Sequence, residues 1–412
     1  LGIFLHWGHA SSRGWELSWQ LTGGVAGQPP SREAVGCDEY FANAATFDPV
    51  DFDAEQWADR IQAAGARYVV FTAKHHDGFA MFDTQHSDYS ITRTAPFARD
   101  VVAELLPALR RRGLRIGLYF SIVDWHHPDY PRYTDDAISK PYVLGHYPRA
   151  GEDAWHRYRQ FMLGQLSELL TDYGPIDICW LDGEFEHSAA EWDFAAIRAH
   201  IRTVQPHCLV NDRCVGYGDF ATPEQELPEH PIDGPWESCL TMNDSWGWVG
   251  DDDNWKSSHE LVERLVETVS AGGNLLLNVG PRGDGRFPAE AIERLDAIGQ
   301  WMAVNSEAVY DVAPGLAPGQ CRLPTSRSDD GRIYVYLTLR PVQRLLVRRI
   351  PVRRIRSVRW LGGATASWSA SPSLADLHRG DPDPNGELSI DVTGAPDSLC
   401  PVLAIDFDVP RP

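Results

Sequence analysis

No stretch of this 412-residue chain stays apolar for long enough to cross a bilayer. Positive charge is in deficit: 37 Lys and Arg stand against 58 Asp and Glu, a formal net charge of −21. That balance disfavours nucleic acid or an anionic membrane surface as partner. Paired cysteines are missing too. The seven Cys, at 37, 179, 208, 214, 239, 321 and 400, include no CxxC and form no metal or disulfide spacing. Cys179 and Cys208 fall in strand-like runs and read as small buried apolar residues. The first strand-like run is followed by no GxGxxG, which weakens a dinucleotide-binding reading, and there is no HExxH. Nothing calls for a cofactor. The chain opens at Leu1 inside a strand-like run, so a targeting segment would lie upstream of it. Secreted, periplasmic and cytoplasmic locations all stay open, and so does oligomeric state.

What is present is ordinary in bulk, with 43% hydrophobic and 23% charged residues, and the length allows two domains. Tryptophan is the exception. Fifteen Trp are unusually many, and several lie beside acidic residues or His near the ends of strand-like runs. Indole stacks well on the apolar face of a sugar ring, although most buried Trp simply fills core.

Strand-like runs alternate with amphipathic helices over the first three quarters. After "LGIFLHWG" (1–8), Asp53 caps a helix with Trp57 and Ile61 on one face, and "RYVVFTAKHHDG" follows as a strand. Further helical faces are Val102, Leu105, Leu106 and Leu109, then Met162, Leu166, Leu169 and Leu170, then Phe194, Ile197 and Ile201, then Leu261, Leu265 and Val269. The strands between them are "RIGLYFS", "IDICWLDG", "CLVNDR" and "NLLLNVGPRGDG", and Pro288 opens a last helix through Met302. Strands apolar on both faces belong in a parallel sheet covered by helices. The repeat predicts an α/β fold, a (β/α)8-type (TIM-like) barrel over 1–312. From Val312 the texture changes to "APGLAPG" and short alternating runs with no convincing helix. A C-terminal antiparallel β-sandwich domain over 313–412 is expected.

In such a barrel the chemistry gathers at the C-terminal ends of the strands. Those positions hold His6 and Trp7; His75, His76 and Asp77; Tyr119, Asp124 and Trp125; Trp180 and Asp182; Asn211, Asp212 and Arg213; Trp236 and Glu237; and Asn278. Polar groups ending so many apolar strands point to a site more than to packing. A divalent metal is disfavoured, because His75 and His76 are adjacent and would diverge on a regular strand. Asp182 could serve as nucleophile or base. Retaining glycoside hydrolysis needs a second carboxyl as acid, and Glu224 and Glu237 are both candidates. Either could equally be an exposed loop carboxylate or one half of a structural ion pair.

Seven motifs then bear on family. "GIFLHWG", "AKHHDGFAMF", "GLYFS…DWHHPDY", "WLDG", "VNDR", "TPEQ…PWESCLTMNDSWGW" and "GGNLLLNVGPRGDG" closely resemble, in order, the α-L-fucosidases of glycoside hydrolase family 29. The resemblance runs from residue 1 to about 310. It implies a retaining exo-glycosidase that removes terminal α-L-fucose from an oligosaccharide or glycoconjugate through a covalent intermediate. It puts the nucleophile at Asp182 and favours Glu224 as acid/base, with Glu237 the alternative. It implies that His6, His75 and His76 hydrogen-bond sugar hydroxyls and that Tyr119, Trp180 and Arg213 line the pocket. Trp246 would face the C6 methyl, and Glu16 and Trp19 would form a first-loop pair on the substrate. The rival readings are a retaining glycosidase for a related sugar such as an α-L-galactoside, and a catalytically inactive carbohydrate-binding protein.

Overall fold

The computed structural model describes residues 1–23, 33–131, 150–230, 232–339 and 343–408. Its chain divides into two compact units, Leu1–Lys256 with Leu276–Leu295, and Ser257–Leu275 with Asp296–Pro412.

The apolar runs of the first unit become β1 (Gly2–Leu5), β2 (Tyr68–Lys74), β3 (Arg115–Ser121), β4 (Ile178–Asp182), β5 (Leu209–Val210) and β6 (Glu237–Thr241), joined by β7 (Asn274–Val279). They form a seven-stranded sheet in the order β5-β4-β3-β2-β1-β7-β6. β1 pairs in parallel with β2 and β7, and β2–β3, β3–β4 and β4–β5 are parallel too. Each connection from β1 to β5 carries a helix: Ala54–Ala63, Val101–Arg111, Glu152–Thr171 and Phe194–Val204. This is the α/β repeat expected from the periodicity. Burial on both faces explains the strands: all of β1, and all of β3 after Arg115, is buried.

Helix starts follow local chemistry. The Asp53 carboxylate accepts from the Glu55 and Gln56 amides at 3.0 and 3.1 Å, which satisfies two donors that a helix leaves unpaired. Trp57 and Ile61, one turn apart on that helix, are both buried. The helices Cys37–Ala42 and Ala189–Trp192 escape a periodicity reading because neither is long enough to show one.

The second unit contains the helix Ser258–Ser270 and two antiparallel sheets. One has the order β12-β15-β10-β9-β8 and the other β11-β14-β13. Their strands are β8 (Val312–Pro314), β9 (Thr325–Ser328), β10 (Ile333–Tyr336), β11 (Arg344–Pro351), β12 (Ile355–Trp360), β13 (Trp368–Pro372), β14 (Asn385–Asp391) and β15 (Val402–Phe407). Alternation sets their inward residues, so that Val335, Val347, Val358, Leu388, Ile390 and Ile405 share one core. One expectation fails here. A helix, Leu374–His378, stands among the strands; it is five residues long, buries none of them, and so carries no amphipathic signature.

Candidate active site

A cavity of about 340 Å³ opens at the C-terminal ends of the first sheet's strands. Its wall includes His6, Trp19, His75, Tyr119, Trp180, Asp182, Arg213, Glu224 and Trp246, nine of the twelve residues to which the resemblance gives a role. Three others lie elsewhere. His76 is wholly buried, with Nε2 3.6 Å from Asp182 Oδ2. Glu16, also buried, accepts from the amides of Trp246 and Gly247 at 2.6 and 3.0 Å and so holds the loop that presents Trp246. Glu237 is buried on β6, where its two oxygens accept from Tyr68 Oη and from Trp180 Nε1, the latter at 2.9 Å. None of these three is among the residues that line the cavity.

The adjacent histidines show how a strand end can aim two neighbours at one place. The β2–β3 register slips between Thr72 and Lys74, and β2 stops at Lys74. Irregularity of this kind re-aims side chains. As a result the rings of His75 and His76 lie only 4.3 Å apart, and the expected divergence does not occur. Gly78 completes the turn at φ +81°, where a Cβ would collide with the Asp124 carboxylate. Asp77 faces away from the sugar-sized space: it accepts from Tyr40 Oη at 2.8 Å and from the Phe79 amide at 3.1 Å.

Each of the three histidines is tied by one nitrogen. Asn278 donates through Nδ2 to the Trp246 carbonyl at 2.7 Å and so turns Oδ1 to His6 Nδ1, also at 2.7 Å. His6 Nδ1 is therefore the donor, and its Nε2 is left as an acceptor. His75 Nδ1 shares a 2.6 Å hydrogen bond with Ser18, and His76 Nδ1 a 2.7 Å one with Ser121. Burial holds all three neutral. It lowers the His6 pKa to about 4 and that of His76 to about 3, and puts His75 well below its usual range.

The carboxylates are arranged differently. Asp182 ends β4 and accepts from Tyr119 Oη at 2.7 Å, one strand over on β3. Arg213 forks, with Nη1 3.1 Å from Glu184 Oε1 and Nη2 3.0 Å from Glu224 Oε2. Although 37% of the Glu224 side chain faces the open cavity, enclosing protein raises its pKa; Arg213 opposes this and Asp182 adds to it. Burial and the nearby Asp182 push Glu184 up to about 7. Three carboxylates thus surround one guanidinium, and burial raises two of them, Glu184 and Glu224, above the usual carboxyl range. That is the condition for general-acid chemistry. Among the described residues no cluster of His, Cys, Asp and Glu could hold a metal ion.

Phe4, Phe185 and Cys239 also line the cavity and were not anticipated. Phe4 could have been found, because it lies two residues before His6 on β1, and side chains two apart share a face. Phe185 and Glu184 follow the β4 end in "LDGEFE", where nothing local separates them from other loop residues.

Comparison with known proteins bears on the same region. The family model described as Alpha-L-fucosidase matches residues 1–307. Plasma alpha-L-fucosidase of Rattus norvegicus is 32% identical over 400 residues, covering 90% of this chain and 83% of its own length. Tissue alpha-L-fucosidase of Mus musculus is 33% identical over 331 residues, covering 76% and 70%. Alpha-L-fucosidase isoenzyme 1 from Paenibacillus thiaminolyticus superposes with a TM-score of 0.82 at 31% identity, covering 99% of this chain and 96% of its own. The alpha-fucosidase of Thermotoga maritima, solved with a mechanism-based inhibitor, gives 0.75 at 28% identity, covering 98% and 94%. On the family match over residues 1–307 and the identity to these relatives, the chain belongs to the alpha-L-fucosidases of glycoside hydrolase family 29.

Proposed function

We propose that this chain hydrolyses terminal α-L-fucosides of glycans with retention, Asp182 acting as nucleophile and Glu224 as acid/base. The observation that carries the assignment is that Asp182 and Glu224 both line the cavity, whereas both Glu237 oxygens are taken up by Tyr68 and Trp180. In the first step the Asp182 carboxylate bonds to the anomeric carbon, the glycosidic bond breaks, and Glu224 gives its proton to the departing oxygen. In the second, water attacks that carbon, Glu224 takes the water's proton, and the Asp182 ester bond breaks. Two inversions restore the starting configuration. The mechanism-based inhibitor bound to the Thermotoga relative supports a covalent route.

Tyr119 holds Asp182 in aim. His6 and His75, neutral and fixed by one nitrogen each, offer the other to sugar hydroxyls. Phe4 and Trp246, with ring centroids 6.1 Å apart, supply an apolar wall suited to the C6 methyl, which favours fucose over a galactoside. The parallel β/α order and the family match over 1–307 support a (β/α)8-type barrel as catalytic domain over 1–312, with the two antiparallel sheets forming a β-sandwich over 313–412.

The test uses 4-nitrophenyl α-L-fucoside beside the galactoside, with the released anomer followed by proton NMR. Release of the α-anomer from the fucoside alone is expected. Asp182→Gly should lose turnover and regain part of it with azide, which replaces the missing nucleophile. Full activity in that variant would overturn the assignment.

A further inference from the structure

We propose that Glu184 is a positioning residue for the acid/base: it fixes Arg213 and, through its own charge, offsets the guanidinium's hold on Glu224, so that it sets the upper pH limit of activity. The inference rests on Glu224 being the acid/base.

The geometry is a carboxylate–guanidinium–carboxylate bridge. One arm of Arg213 reaches Glu184 at 3.1 Å and the other Glu224 at 3.0 Å, while the guanidinium lies 5.9 Å from the centroid of the Trp180 ring. A planar fork held at one end and against an aromatic ring presents its other end in a fixed direction. Glu184 supplies the fixed end. It leaves the strand at Gly183, whose φ of +97° turns the chain just past Asp182, and its Oε2 is buried without a hydrogen-bond partner among the described residues. With 16% of its side chain exposed this is no surface ion pair, and among the described residues its side-chain partner is the guanidinium that also holds Glu224.

The charge argument gives the sign. Glu224 must be protonated to release the aglycone, and a nearby unopposed Arg favours its ionised form. Glu184 itself ionises near pH 7, and once negative it cancels part of that bias and keeps the proton on Glu224 to higher pH. The other titratable groups facing the cluster are His6 past the end of β1, His76 past the end of β2, Tyr119 from β3, Asp182 from β4 and Cys239 from β6. Burial keeps His6, His76, Tyr119 and Cys239 uncharged near neutrality, the histidines by lowering their pKa and the other two by raising theirs. Asp182, and Glu184 once it ionises near pH 7, are therefore the charges that counter Arg213, and only Glu184 can be altered without removing the nucleophile.

The experiment is the pH profile of kcat/KM for Glu184→Gln, which keeps an oxygen for Arg213 but no charge. Its basic limb should move toward acid by about one pH unit, within the range by which a nearby charge shifts a carboxyl. Glu184→Asp keeps the charge, so its limb should stay near that of the wild type even where kcat falls through the shortened arm. A Glu184→Gln profile that superimposes on wild type, or a limb that moves equally in both variants, would overturn the proposal. Glu224→Ala, assayed on good and poor leaving groups, separates the two levels of failure. If its loss is confined to poor leaving groups while Glu184→Gln leaves the limb in place, only the role of Glu184 falls. If its loss is the same for all leaving groups, the acid/base assignment falls and this inference with it.

Discussion

Asp182, the proposed nucleophile, shows how little of a side chain's behaviour resides in the residue itself. Its aim is set by Tyr119, whose hydroxyl donates to it from the adjacent strand, and Tyr119 stacks on Trp180 at 5.6 Å and 21°. The parallel pairing places Tyr119 opposite Trp180 and Ser121 opposite Asp182, so two neighbouring strands present the pair together. A hydrogen bond to a charged acceptor is worth about 1.5–3 kcal/mol. Tyr119→Phe is therefore expected to lower kcat on an aryl fucoside by roughly tenfold to a hundredfold, with the fold intact by circular dichroism. Unchanged kcat would show that Asp182 is held without Tyr119. At this scale the sequence was informative where a residue ended a strand, as with His6, Tyr119 and Asp182. It was silent on Glu184, which lies in a loop and is marked out only by the guanidinium it meets.

Elements decide which of these residues share a space. The loop carrying Trp246 is held by Glu16, 230 residues earlier, through two backbone amides. Asn278 on β7 grips the same loop through the Trp246 carbonyl. Glu16→Ala would leave two buried N–H groups unpaired, at a cost of about 2–4 kcal/mol. The expected result is a lower unfolding midpoint and a raised KM, with kcat changed less, because the wall is loosened while the carboxylates stay in place. A variant that loses kcat with unchanged KM would instead place Glu16 in the chemistry. The first-loop residues Glu16 and Trp19 were recognised as a pair, yet only Trp19 reaches the cavity. Helices with long apolar faces and a capping Asp were legible because both signals are local. The short helices, and the register slip that turns His75 and His76 the same way, had no comparable local mark.

Over the whole molecule, buried charge couples stability to pH. Glu186 is buried, accepts from Trp125 Nε1 at 2.7 Å and from Tyr130 Oη, and is pushed by burial from 4.5 up to about 7. Between those values the unfolded chain has released the proton that the folded chain still holds, so this group weakens folding as pH rises from 4.5 to about 7. Below that window it has no effect, and above it the penalty is constant, on the order of 3 kcal/mol. Glu186→Gln removes the ionisation. Relative to wild type, its urea-derived stability should gain about that amount between pH 4 and pH 8. A difference between the two proteins that does not vary with pH would contradict the burial argument.

The sequence by itself determined the β/α order, the positions of the main helices, the family and most of the cavity's residues. Periodicity, caps and contiguous motifs such as "WLDG" are local, and they do not depend on what lies across the sheet. Tertiary structure decided the rest. It put Glu224 in the cavity and Glu237 on Trp180, left His76 and Glu16 out of the cavity's lining, and brought Glu184 onto Arg213. Each of those outcomes depends on a contact between residues well apart in the chain. Which carboxylate meets a guanidinium and which meets a tyrosine is then a matter of how strands and loops come together, and no short stretch of sequence records it.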